Sequence, residues 1–195
     1  TPKYVKAKRM AELGAFGKVY MVKQCEKHFG PHASWFWDVR KSGGGVFMDM
    51  GCHGVAFCWW FLDRPRIQSV FCQMGTYVHG EKTQGEDHCI CILEFENQAI
   101  GVVENSWARR GGMDDRVEVY GEGGLTEAIL HAGIASPTYS EYGYDYAVEK
   151  APTTTGWTFP VYEELWNYGF PHEMRHFARC VRGKEEPMAT GEDGR

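Results

Sequence analysis

Apolar and polar positions along the chain change their period several times. Residues 3–13 carry apolar side chains among lysines at helical spacing, which places Val5, Met10 and Leu13 inward, and Gly14 supplies a natural C-terminal stop. Residues 17–28 switch to alternation, with Val19, Met21 and Lys23 on one side and Tyr20, Val22 and Gln24 on the other. A loop rich in Gly, Pro and aromatics occupies 29–45. Residues 46–62 are apolar around nearly the whole circumference, which predicts a buried helix.

After the break at Asp63-Arg64-Pro65, five segments have strand character: 67–78, 87–95, 99–107, 116–121 and 124–130. Asn97-Gln98 is a tight connection of the hairpin kind. Residues 131–160 read as irregular. A last helix is expected over 161–181, kinked or divided at Pro171 and stopped by Gly183. One helix, many consecutive strands and a closing helix predict an α+β domain, an open and largely antiparallel sheet with helices on one face.

Composition narrows the class. The 195 residues are 43% hydrophobic and 14% aromatic, which suits a packed core. A net charge of −5 gives no electrostatic case for nucleic acid or an anionic membrane. No apolar run reaches about 20 residues, so no membrane span is expected. Seven cysteines are scattered without a C-x-x-C pair, which predicts reduced thiols and a cytoplasmic setting. Cys89 and Cys91 share a strand face and Tyr77, His79 and His88 lie near them, but no ligand spacing follows, so no metal site is expected.

Candidate chemistry concentrates at Ser42-Gly43-Gly44-Gly45-Val46-Phe47-Met48-Asp49-Met50-Gly51-Cys52-His53. On a helix, Asp49 and His53 would share one face with Cβ atoms about 5–6 Å apart. Within the first two turns the helix dipole would favour Asp49 as an anion and His53 as a neutral base. Such a pair suits proton transfer to or from an alcohol. The glycines make a turn, and could also let a ligand approach the backbone closely. Ahead of the helix, His32, Trp37 and Arg40 are candidates to line a pocket, aromatic faces suiting a sugar ring and Arg its hydroxyls or carboxylates. Trp166 and His172, near the last helix, are further candidates for substrate contact.

The string G-G-G-x-x-x-D-x-G-x-H before an apolar helix resembles the C-terminal domain of the Gfo/Idh/MocA oxidoreductases. The resemblance extends from Pro2-Lys3-Tyr4 through Gly14-Ala15-Phe16-Gly17-Lys18-Val19-Tyr20 to Glu186-Pro187-Met188 and Gly191-Glu192-Asp193-Gly194. It implies that Asp49 and His53 belong to the catalytic group, with His53 as general acid/base and Asp49 orienting the imidazole or a neighbouring hydroxyl. Family members also carry a G-x-G-x-x-[GA] nucleotide-binding turn and a Glu-Lys-Pro motif, and this sequence has neither. Residues 1–14 are then expected to be the last helix of a nucleotide-binding domain, and 15–195 a substrate-binding and oligomerisation domain truncated in its C-terminal helix.

What the resemblance implies is an NAD- or NADP-dependent oxidoreductase acting on a sugar, polyol or related hydroxy compound, the cofactor being held mainly by the other domain. It also implies a homo-oligomer formed through the exposed sheet face, where Trp107 and Tyr120 would suit an interface. Two alternatives stay open: an NAD-assisted glycoside-cleaving enzyme of the same fold, and a non-catalytic carbohydrate-binding or dimerisation module.

Overall fold

A computed structural model describes residues 1–130, 138–143, 152–158 and 164–194. Helix α1 (Pro2–Glu12) leads into strand β1 (Val19–Lys27). A 3-10 turn (Ser34–Trp37) and the short helix α2 (Val39–Ser42) follow, then a π-helical turn (Phe47–Gly51) running directly into α3 (Cys52–Phe61). Strands β2 (Ile67–Gly75), β3 (His88–Phe95), β4 (Ile100–Ser106), β5 (Asp114–Gly121) and β6 (Gly124–Ile129) come next. Two short strands, β7 (Thr138–Ser140) and β8 (Gly156–Thr158), pair as a ribbon within the stretch expected to be irregular. Helices α4 (Glu164–Tyr168) and α5 (Phe170–Val181) close the described chain.

The six long strands form one sheet in the order β2-β3-β4-β1-β5-β6. Every neighbouring pair is antiparallel except β1–β4, which is parallel. The expected α+β architecture is therefore the observed one. At the β3–β4 hairpin Gln98 takes φ +68°, and its N–H donates to the Phe95 carbonyl at 2.8 Å. The last helix is divided as expected near Pro171, at Gly169 (φ +91°), where Pro171 opens α5. Residues 161–163 of that prediction lie outside the described residues.

One sheet face is covered by α3 and α1, and the core lies between them. Strand registry aligns Cys91, Val103, Gln24 and Val117 in a row across β3, β4, β1 and β5. Helix α3 lies close on that row at Gly54, where a Cβ would stand 2.4 Å from Val103 Cγ1 and 2.5 Å from Gln24 Oε1. Cys89 and Cys91 are both buried in the core.

Two expectations about helices are corrected. Of Val5, Met10 and Leu13, expected inward on α1, only Met10 packs against the core. Val5 and Leu13 are exposed, while Ala7 and Lys8 are buried and Tyr4, Met10 and Ala11 pack beside them. Positions 4, 7, 8 and 11 follow the helical period, and Lys8 is admitted because it pairs with Asp63 and donates to the Phe61 carbonyl. Nor is the 46–62 segment enclosed all round. Met48 is 57% exposed and Cys52, His53 and Ala56 are exposed with it, so one stripe of an apolar helix faces outward.

Candidate active site

The start of the 46–62 segment is held by a loop distant in sequence. The Val46 N–H donates to the Glu86 carbonyl at 2.8 Å, and the Phe47 N–H to Glu86 Oε1 at 3.0 Å. Glu86 thus occupies the positive end of the helix that was expected to favour Asp49 as an anion. Gly45 makes this possible, since a Cβ there would stand 2.1 Å from the Glu86 carbonyl oxygen. Gly43, at φ +82°, ends α2. The triple glycine therefore serves a turn and a close backbone packing.

Because Asp49 lies in the π turn and His53 in α3, the two side chains reach different strands. Trp107, following β4, donates its Nε1–H to Asp49 Oδ2 at 3.0 Å. His53 Nδ1 is 2.9 Å from Glu26 Oε2 of β1. The group that orients the imidazole is thus Glu26, and Asp49 is held by an indole. π turns of this kind occur often at functional sites, where the extra residue re-aims side chains.

The electrostatic setting of the two groups also differs from expectation. Burial pushes the Asp49 carboxyl above its ordinary value, although the Trp107 hydrogen bond opposes this. The Cys52 side chain and the Glu26 carboxylate push His53 up to about 11, so it rests as an imidazolium rather than a neutral base. Asp115, opposite Glu26 on β5, is pushed up to about 7 by burial and by Glu26. It accepts a hydrogen bond from the Tyr4 hydroxyl at 2.7 Å.

Trp107, expected at an exposed interface, is fully buried. Its ring packs edge-on against Trp37 at 5.4 Å and Phe36 at 6.5 Å. Its carbonyl lies 3.0 Å from His79 Nε2, and its N–H donates to the Asp87 carbonyl at 2.8 Å. The Asp87 carboxylate in turn accepts from the backbone N–H groups of Tyr77, Val78 and His79. The expected histidine and tyrosine cluster therefore braces a loop against Trp107. Tyr120 stays on the outer face, beneath the Lys23 ammonium at 5.2 Å.

The remaining candidates separate. His32 is exposed, its ring 5.2 Å from His28, and it is close enough to act electrostatically on Asp49. Trp37 supports Asp49 only through Trp107. Trp37 and Arg40 line a different cleft of about 670 Å³, with Ser34, Asp38, Lys82 and Gln84. Arg40 there is exposed and paired with Asp38, Nε to Oδ1 at 3.0 Å. Trp166 and His172 pack against each other at 6.1 Å. No hydrogen bond, ion pair or ring contact joins them to Asp49 or His53 among the described residues.

Glu26, Asp115 and Trp107 were missed as site residues. The signal was present along β1 and the residue after it, where Val22, Gln24, Glu26 and His28 are all buried. Polar groups repeated on the inward side of a strand must be hydrogen-bonded or used. Asn105, paired with Glu26 across β4–β1, belongs to the same row; it is fully buried and its amide has no hydrogen-bond partner among the described residues.

The donor set fits one end of a dinucleotide cofactor. Met48 and Ala56 are exposed on the same segment as His53, and apolar side chains there would suit the face of a nicotinamide ring.

Residues 4–127 match the GFO/IDH/MocA C-terminal domain. The chain is 24% identical over 194 residues to the myo-inositol 2-dehydrogenase of Thermotoga maritima, covering 98% of this chain and 54% of that protein. It is 28% identical over 199 residues to the scyllo-inositol 2-dehydrogenase (NAD(+)) of Bacillus subtilis, covering 98% and 53%. Among solved structures, GenD2 from gentamicin A biosynthesis, in complex with NAD, superimposes with a TM-score of 0.89 at 31% identity, over 99% of this chain and 54% of that one. The chain thus spans about half the length of the curated relatives it matches. It belongs to the GFO/IDH/MocA family, as its C-terminal domain.

Proposed function

We propose that this chain is the substrate-handling part of an NAD(P)-dependent oxidoreductase acting on a hydroxyl of a sugar, polyol or cyclitol. The observation that carries the reading is the Asp49–His53 pair at the edge of an exposed, partly apolar stripe, within a family whose relatives include inositol dehydrogenases. Bound NAD(P) supplies the hydride acceptor. Helix α1 would be the end of the nucleotide-binding domain and residues 15–195 the substrate domain.

The chain's own residues handle the proton and the substrate's placement. In oxidation His53 takes the hydroxyl proton, and in reduction it returns it. Its resting charge makes it a ready acid for reduction, whereas oxidation requires that it first lose its proton. Asp49, fixed by Trp107, accepts a hydrogen bond from the reacting or adjacent hydroxyl. His32 stands where it can contact the same molecule. Trp37, Arg40, Trp166 and His172 would serve a larger substrate only from outside this centre.

The outer sheet face supports a homo-oligomer. Phe71 (62% exposed), Ile90, Ile92 and Ile100 form one patch across β2–β4, beside a charged band of Lys23, Glu104, Arg116 and Glu118. An apolar patch with a charged border is the pattern of a protein interface.

The test is turnover by the full-length protein with NAD or NADP and a panel of inositols, hexoses and amino sugars. His53→Ala should lower kcat by about 10²–10⁴-fold, the usual weight of a general acid/base. Unchanged turnover in that variant would remove His53 from the reaction. Cleavage of glycosides without net reduction of added NAD would point instead to the elimination chemistry of the same fold.

A further inference from the structure

Behind His53 the sheet carries two carboxylates that the proposed reaction does not use. Glu26 on β1 and Asp115 on β5 are paired in register and lie on the helix-covered face. Glu26 is buried and meets His53 Nδ1 at 2.9 Å. Asp115 accepts from the Tyr4 hydroxyl of α1 at 2.7 Å. The other titratable groups facing the imidazole are Cys52 on α3, Asp49 in the π turn and His32 in the preceding loop.

Two adjacent carboxylates in a poorly hydrated place do not both ionise readily, so one of them keeps a proton. The partners decide which. Glu26 lies against the imidazole of His53, whose charged form a carboxylate stabilises. Asp115 faces a neutral phenol, which serves a protonated acid as well as an anion, and its pKa near 7 agrees with that division.

We propose that Glu26 is the positioning residue of His53, fixing Nδ1 inward and Nε2 toward the open face, and that Asp115 holds the proton that leaves one negative charge behind the imidazole. The inference rests on the reading of His53 as the proton-transferring group. In oxidation the substrate O–H bond breaks and an N–H bond forms at Nε2, while the Nδ1–H remains with Glu26. In reduction the same proton returns from Nε2 to oxygen. Glu26 does not gain a proton in either direction; it selects the tautomer and stabilises the imidazolium, as the third member of a catalytic triad does.

The experiment is a histidine-ring NMR titration of the full-length protein, with Glu26→Gln and Asp115→Asn variants. In the wild type, both His53 ring nitrogens should be protonated at pH 8, and the ring shifts should show an inflection near 7 as Asp115 ionises. Glu26→Gln should move the His53 midpoint down by about 1–3 units, the effect of losing a neighbouring opposite charge. Asp115→Asn should abolish the inflection and leave the Nδ1–H signal in place.

A wild-type His53 that titrates at its ordinary value, or with Nδ1 unprotonated, overturns the proposal. So does an unchanged midpoint in Glu26→Gln. Should Glu26→Gln fail to fold, the wild-type Nδ1–H signal and the Asp115→Asn titration decide. The readout is independent of turnover. If Glu26→Gln shifts the titration while His53→Ala in the full-length enzyme keeps its rate, the positioning stands and the catalytic reading falls.

Discussion

The indole of Trp107 donates to the carboxylate of Asp49 at 3.0 Å, and this bond ties the residue that follows β4 to the π turn. A buried indole N–H needs an acceptor, and a half-buried carboxylate needs a donor, so each satisfies the other. Trp107→Phe keeps most of the packing against Trp37 and removes only the donor. A hydrogen bond to a charged group contributes about 1.5–3 kcal/mol. If that stabilisation is used in the transition state, kcat/KM of the full-length enzyme should fall by about 10- to 100-fold. A steady-state assay decides, and a change in thermal stability with no change in rate would make the bond purely structural.

Asp115 predicts how stability depends on pH. Its native pKa, pushed to about 7 from 3.8, means the folded state binds more protons than the unfolded state between those values. Stability should therefore fall as pH rises through that window. Asp115→Asn should flatten this part of the curve, as urea denaturation at pH 4, 5.5 and 7.5 would show. His53, raised by the Cys52 side chain and by Glu26, acts above it: its contribution is complete below 6.5 and is lost as pH climbs toward about 11.

Gly45→Ala tests the seating of the motif. The new methyl would meet Glu86 backbone at 2.1 Å, forcing the loop and the helix start apart. A loss of about 1–3 kcal/mol is expected from the overpacking alone. Gly191→Ala, where nothing stands within 4 Å of the new atom, should stay within about 0.5 kcal/mol. Equal Tm values for the two variants would refute the packing argument.

Phe71→Glu combined with Ile92→Lys tests the outer face. The residues are cross-strand neighbours within the exposed patch. Sedimentation of the full-length protein should shift to the monomer while the His53 environment, followed by NMR, stays unchanged. An unaltered oligomer would place the interface elsewhere.

How much of this was legible follows from where each signal lies. The 46–62 helix and the hairpin at Asn97-Gln98 are local patterns, and the structure has both in place, whereas Asp49 and His53, four apart in sequence, turn to different partners, Trp107 and Glu26. The orientation of α1 was misread because Lys8 was treated as polar and outward, while its partners Asp63 and the Phe61 carbonyl lie more than fifty residues away. Glu26, Trp107 and Asp115 were invisible as a group for the same reason. They meet through strand registry, and registry is set by the whole sheet. The alternation puts Val22 and Gln24 on one side of β1 and Glu26 continues that side, but which side faces the core is set by the packing of the whole sheet. The charge on His53 could not be inferred from spacing, because the helix end that would have kept it neutral is taken by Glu86, and its carboxylate partner comes from another strand.

The π turn at Phe47–Gly51 acts as a spacer whose length sets an angle. Deleting one residue within it would restore ordinary helical winding and swing everything upstream by about 100°, one residue's share of a 3.6-residue turn. Asp49 would then sweep away from Trp107 while His53 kept its grip on Glu26. The two groups are thus tuned by chain length as much as by chemistry, and a shortened relative could keep both residues in its sequence yet lose their shared geometry.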